Sequence, residues 1–162
     1  MAEARTGILF VCTGNICRSP TAEGVFRHLA RERGVLENLR IDSAGTLDYH
    51  VGDPPDPRAI EHAARRGYDL SMLRARQVAW TDFSQFERIL AMDRGHLREL
   101  KGIAPAGSLW RIAKFMDYSE AWRGLDVPDP YYGGSAGFEE VLDMVEEASA
   151  RLLDEIVAGL KR

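Results

Sequence analysis

The segment that most limits the fold is Gly7-Ile8-Leu9-Phe10-Val11-Cys12, an unbroken apolar run followed by a short loop and then by Ser19-Pro20. A strand with one wet face alternates apolar and polar residues. An unbroken run belongs to a strand covered on both faces, as in parallel sheets. Downstream, Ala22, Val25, Phe26, Leu29 and Ala30 recur at helical spacing and form one apolar stripe. Ser19 suits an N-cap, Pro20 the first helical position and Gly34 the stop. A buried strand joined to an amphipathic helix by a tight loop is the first half of a βαβ unit.

The later segments continue the alternation. A second strand is expected around Arg40-Ile41-Asp42-Ser43, then a turn-rich loop to Pro55, then a helix opened by Asp56-Pro57 and closed near Gly67. Arg88-Ile89-Leu90-Ala91-Met92 reads as a third strand leading into a short helix near His96, and Leu109 to Ile112 as a fourth, shorter strand. Phe138, Val141, Leu142, Val145, Ala148, Leu152 and Ile156 mark a long amphipathic helix whose stripe packs on the core. The pattern predicts a single-domain α/β fold, a four-stranded parallel sheet with right-handed crossovers and helices on both faces. A chain of 162 residues, 45% hydrophobic and 28% charged, suits one core. Ligands of such sheets sit beyond the carboxyl ends of the strands, where strand order reverses, and Cys12 stands at such an end.

The loop itself, Cys12-Thr13-Gly14-Asn15-Ile16-Cys17-Arg18-Ser19, combines groups that favour an anion. A thiol attacks efficiently only as thiolate. A helix N-terminus, a ring of backbone N–H groups and Arg18 all favour that charge, and the same donors bind phosphate. Arg18 adds a planar fork matched to two phosphate oxygens, which lysine lacks. Gly14 and Asn15 tolerate the left-handed backbone that curls a loop around an anion. Ser19 can cap the helix or donate to the Cys12 sulfur, and spacing alone does not choose. The expected chemistry is a phosphatase passing through a covalent phosphocysteine.

Cys12 and Cys17 are the only cysteines, too few for a secreted disulfide scaffold. His28, His50, His62 and His96 show no zinc-ligand spacing, so neither a metal nor another cofactor is expected. The formal net charge of -4 argues against nucleic-acid binding. The first apolar run is too short for a bilayer span or an export signal, so no membrane insertion is expected and the cytoplasm is the expected compartment.

Cys12 through Pro20 resembles the signature of low-molecular-weight protein tyrosine phosphatases, and Asp129-Pro130-Tyr131-Tyr132 resembles that family's second hallmark. Asp42-Ser43-Ala44-Gly45-Thr46, Pro55-Asp56-Pro57-Arg58-Ala59, Arg74-Ala75-Arg76-Gln77 and Ala91-Met92-Asp93 match between them in order. The resemblance spans essentially the whole chain and implies a flavodoxin-like arrangement. It assigns Cys12 as nucleophile, Arg18 as phosphate clamp and Asp129 as the acid for the leaving phenolate. Asp129 would then act as base on the water that hydrolyses phosphocysteine. Thr13, Gly14, Asn15, Ile16, Cys17 and Ser19 are implied to bind phosphate. Asn15 and Ser43 brace the loop, with Ser19 supporting the Cys12 thiolate. Tyr49, Tyr131 and Tyr132 resemble an aromatic wall deep enough for a phenyl ring, favouring phosphotyrosine over shorter phosphoserine. Isoleucine at Ile16 accompanies tyrosine-directed members, where phosphoarginine-directed relatives carry threonine.

The resemblance also makes Cys17 a redox partner whose disulfide with Cys12 protects the nucleophile. Implied partners are phosphotyrosine proteins, with phosphate and vanadate as competing ligands. The exposed tyrosines suggest a monomer or a weak homodimer. Leu73 departs from the pattern: many relatives carry histidine there, in a supporting hydrogen-bond shell. Two other readings are weighed. One class of arsenate reductase shares this fold and loop, but its relay needs a distant cysteine pair, and no cysteine follows Cys17. A phosphate-binding module without turnover is the other, and the intact Cys12, Arg18 and Asp129 argue against it.

Overall fold

Strand β1 (Thr6–Cys12) occupies the interior of the sheet, pairing in parallel with β2 (Leu39–Gly45) on one side and β3 (Arg88–Ala91) on the other. The computed structural model describes residues 5–131 and 134–160. Strand β4 (Ile112–Lys114) extends the far edge beyond β3, giving the order β2-β1-β3-β4, all parallel. The chain leaves β1 in one direction for β2 and then crosses back to β3. The carboxyl ends of β1 and β3 therefore flank the switch point, and Cys12 lies there.

The unbroken apolar run of β1 is explained by its two covered faces. Ile8, Phe10 and Cys12 join a core with helices α1 (Arg18–Glu32) and α5 (Ser135–Leu160). Leu9 and Val11 point the other way, into a second core with Phe83, Phe86, Ile89, Leu100 and Ile112. That second core is covered by α3 (Asp82–Gln85) and α4 (Arg94–Ile103). The stripe read on the C-terminal helix is buried from Phe138 to Ile156. Helix α2 (Pro57–Arg65) is capped by Asp56, which accepts from the Arg58 amide at 2.8 Å, and it ends before Gly67 at φ +90°.

Two local expectations are corrected. Residues Leu109–Arg111 form a 3₁₀ turn, and the strand follows it. Leu109 and Trp110 are 54% and 67% exposed, so the apolar letters there mark surface, while Ile112 is the residue that enters the sheet core. Helix α1 begins at Arg18 and not after Ser19; Cys17 holds the cap position without a side-chain cap. Pro20 is accommodated in the first turn because amides there have no intrahelical acceptor to lose.

Candidate active site

The loop between β1 and α1 is anchored from its outside. Asn15 sits at φ 59°, the single non-glycine residue with positive φ among the described residues, and this turns its amide inward to the core. Asn15 Nδ2 donates to Ser19 Oγ at 2.8 Å and to Ser43 Oγ at 2.9 Å, while Oδ1 accepts from the Arg76 amide at 3.0 Å. Gly45 lies against the same loop: a Cβ there would stand 2.7 Å from the Thr13 carbonyl oxygen, so only glycine allows the approach.

The hydrogen-bond directions follow from counting hydrogens. Asn15 uses both amide hydrogens, so Ser19 and Ser43 accept from it and keep one hydroxyl hydrogen each. Ser43 donates to the buried Glu23 carboxylate at 2.7 Å. Ser19 Oγ lies 2.9 Å from Cys12 Sγ and can donate to a thiolate there. The Ser19 hydroxyl is thus engaged with the sulfur and with Asn15, which is why it does not cap the helix. Burial pushes the Glu23 carboxyl up, while Ser43 and Arg27 pull it down. Leu73, the departure from the family pattern, packs against the main core. In this chain the loop is braced instead by the Arg76 amide and the Ser43–Glu23 pair.

Inside the loop the amides of Gly14, Asn15, Ile16 and Cys17 make no hydrogen bond to any described residue. Such a nest at a helix N-terminus is an anion site. It opens on a cleft of about 280 Å³ lined by Cys12, Thr13, Gly14, Ile16, Cys17 and Arg18 on the loop side. Leu47, Tyr49, His50, Asp129 and Tyr131 complete its lining. Tyr49 is 79% exposed at the mouth. Tyr132 lies outside the described residues.

Arg18 is 4% exposed and held by two acceptors: Nη1 donates to Asp93 Oδ2 at 2.9 Å and to the Val127 carbonyl at 3.0 Å. Nη2 stands 3.5 Å from Thr13 Oγ1 and 3.8 Å from Asp129 Oδ2. Asp129 Oδ1 accepts from the Tyr131 amide at 3.0 Å, and Arg58 Nη2 donates to the Tyr131 carbonyl at 3.0 Å. The Arg58 guanidinium also lies 5.6 Å from the Tyr131 ring centre, so the segment carrying Asp129 is braced from α2. Cys12 and Cys17 are free thiols. Burial, then the Asp56 carboxylate, pushes the Cys17 thiol up to about 12, so it stays protonated at neutral pH.

Sequence reasoning missed three site residues. Glu23 hides in the apolar stripe of α1, though its i,i+4 spacing to Arg27 was legible. Asp93 caps α4 by accepting from the His96 amide at 2.9 Å, and Asp-x-x-His is the spacing of such a cap. His96 was read only as a non-ligand, yet it is 2% exposed beneath the loop. Burial first, then Arg18, lowers its pKa to about 4, so it is neutral at physiological pH.

An unfolded imidazole takes up a proton near pH 6.5, whereas folded His96 resists until about 4. Between these values the unfolded state binds more protons, so stability falls as pH drops from 6.5 to 4, by on the order of 3 kcal/mol. Urea unfolding across that window should show this slope in the wild type. The slope should be shallower in His96→Asn.

A thiol at a strand end, in a loop of unpartnered amides closed by an arginine and sharing one cleft with a carboxylate, has the parts of a cysteine-based phosphate site on an α/β fold. The comparisons agree. The model of the low molecular weight phosphotyrosine protein phosphatase family matches residues 7–162, so the chain belongs to that family. It is 47% identical over 149 residues to a low molecular weight protein-tyrosine-phosphatase of Streptomyces coelicolor, covering 90% of each chain. It is 41% identical to the low molecular weight phosphotyrosine protein phosphatase of Homo sapiens, covering 87% of this chain and 90% of the other. Among solved structures, a protein tyrosine phosphatase from Entamoeba histolytica with Hepes in its active site superposes with a TM-score of 0.91 at 38% identity. That match covers 95% of this chain and 98% of the other.

Proposed function

We propose that this chain hydrolyses phosphotyrosine on protein substrates, and small aryl phosphates, through a phosphocysteine intermediate. The observation that carries the reading is the loop of four unpartnered amides with Cys12 at its base and Arg18 closing it. Cys12 Sγ attacks phosphorus in line with the aryl oxygen. The P–O bond breaks as the S–P bond forms, and Asp129 gives its proton to the departing phenolate. Water then enters, loses a proton to Asp129 and attacks phosphorus. The S–P bond breaks, releasing phosphate and the thiolate. Charge on the equatorial oxygens is met by the loop amides and Arg18, and no step calls for a metal.

Ser19, held by Asn15, donates to the sulfur, and Ser43 supports the loop from behind. Tyr49 and Tyr131 line the cleft, and aromatic walls suit a phenyl ring, which supports phosphotyrosine as substrate. Phosphate and vanadate compete for the same nest. No helix among the described residues is long and apolar enough to cross a membrane. A free nucleophilic thiol persists best in a reducing compartment, which supports the cytoplasm. Cys17, a neighbouring thiol on the same loop, is placed in the chain to intercept a Cys12 sulfenic acid, and burial, which keeps it protonated, opposes that reaction.

The test is turnover of aryl phosphates after chelator treatment. Asp129→Ala should lower kcat by about 10²- to 10⁴-fold. The loss should be larger with phenyl phosphate than with para-nitrophenyl phosphate, whose leaving group needs less protonation. Wild-type protein that binds phosphate but turns over neither substrate would instead be a phosphate-binding module.

A further inference from the structure

Four residues close a ring beneath the anion loop, its last link the His96 backbone amide. His96 Nε2 lies 2.7 Å from Thr13 Oγ1, and Thr13 Oγ1 lies 3.5 Å from Arg18 Nη2. Arg18 Nη1 donates to Asp93 Oδ2 at 2.9 Å, and Asp93 Oδ1 accepts the His96 amide at 2.9 Å. His96 Nδ1 stands 3.1 Å from Asp93 Oδ1 without the alignment of a hydrogen bond. We propose that His96 is a positioning residue: by accepting the Thr13 hydroxyl hydrogen it turns the Thr13 oxygen towards Arg18 and so holds the guanidinium in its phosphate-clamping pose.

Arg18 only donates, so Thr13 must face it with a lone pair. The Asp93 carboxylate, 3.1 Å from Nδ1, favours the ring proton there, so Nε2 is bare, takes the single Thr13 hydrogen and leaves a Thr13 lone pair for Arg18. The reverse tautomer would set a bare Nδ1 against the Asp93 carboxylate and, by donating from Nε2, free the Thr13 hydroxyl to rotate. An imidazolium would also donate from Nε2 and place a second positive charge near Arg18. Neutrality of the ring is favoured by burial and Arg18, against the pull of Asp93, Asp129 and Asp126. A histidine filling space in the core would need none of these relations to a loop hydroxyl.

The proposal rests on the phosphatase reading with Arg18 as clamp, and its test separates the two. The affinity for inorganic phosphate is measured by calorimetry for wild type, His96→Ala, Thr13→Val and the double variant, alongside kcat for para-nitrophenyl phosphate. Each single change should lower kcat about tenfold, the effect of about 1.4 kcal/mol lost at a charge-assisted contact, and weaken phosphate binding several-fold. The double variant should be no worse than either single one, because His96 acts through Thr13. Multiplying effects, or a lowered melting temperature with unchanged kcat and phosphate affinity, would overturn the proposal. His96→Asn, closer in size, replaces His96→Ala in the cycle if the latter does not fold. Nitrogen-15 shifts of the wild-type His96 ring at pH 6.5 should show Nδ1 protonated and Nε2 bare, and the opposite tautomer sinks the idea. The phosphate cycle and the ring shifts need no turnover. Failure of wild-type protein to hydrolyse para-nitrophenyl phosphate therefore counts against the phosphatase reading alone.

Discussion

Cys12→Ser should abolish turnover, lowering kcat on para-nitrophenyl phosphate by on the order of 10⁵-fold. An alcohol does not ionise at neutral pH, and in the proposed route Asp129 enters the first step already protonated, as the acid. Ser19, the nearest hydroxyl at 2.9 Å, is committed to accepting from Asn15. The phosphate nest is untouched by the change, since its donors are backbone amides and Arg18. The variant should therefore still bind phosphate with wild-type affinity. Full activity in the variant would exclude a phosphocysteine route. Loss of phosphate affinity together with activity would show that the substitution had disturbed the loop instead of the chemistry.

Arg18→Lys should lower kcat by about 10³- to 10⁵-fold, the range for removing an arginine that meets transition-state charge in phosphoryl transfer. Lysine carries the same charge but one point of contact. It can keep the Asp93 carboxylate, or reach the Val127 carbonyl, or meet a phosphate oxygen, whereas the guanidinium holds both protein acceptors at 2.9 and 3.0 Å and still presents Nη2 to the cleft. The variant should also bind phosphate more weakly, which separates it from Cys12→Ser. Stability should fall as well, because Asp93 is half-buried and caps α4 while paired with Arg18. Calorimetry and a melting curve on the same preparation check both. A lysine variant retaining more than a tenth of wild-type kcat would remove Arg18 from the clamp role.

Much of the fold was legible in the chain because its signals are local. The unbroken run from Gly7 to Cys12 marks a strand covered twice, and the stripes of α1 and α5 are read at one period each. Strand β4 was misplaced because Leu109 and Trp110 have the letters of a strand but the exposure of a surface turn. Burial depends on what stands opposite, and no window of neighbours contains that information. The start of α1 was misplaced for a related reason. Ser19 has the chemistry of a cap, but its hydroxyl is taken by Asn15 and the Cys12 sulfur.

By itself the sequence determined the reactive loop: a thiol, a glycine and an asparagine for the turn, and an arginine just ahead of the Ser19-Pro20 helix signal are adjacent in the chain, so their chemistry is readable wherever they fold. Only the tertiary structure decided what surrounds them. Asp93 and His96 reach the loop from 75 and 83 residues away, and the Val127 carbonyl from 109. Such contacts arise from parallel crossovers that bring the ends of β1 and β3 side by side. No period of 2 or 3.6 residues encodes that proximity.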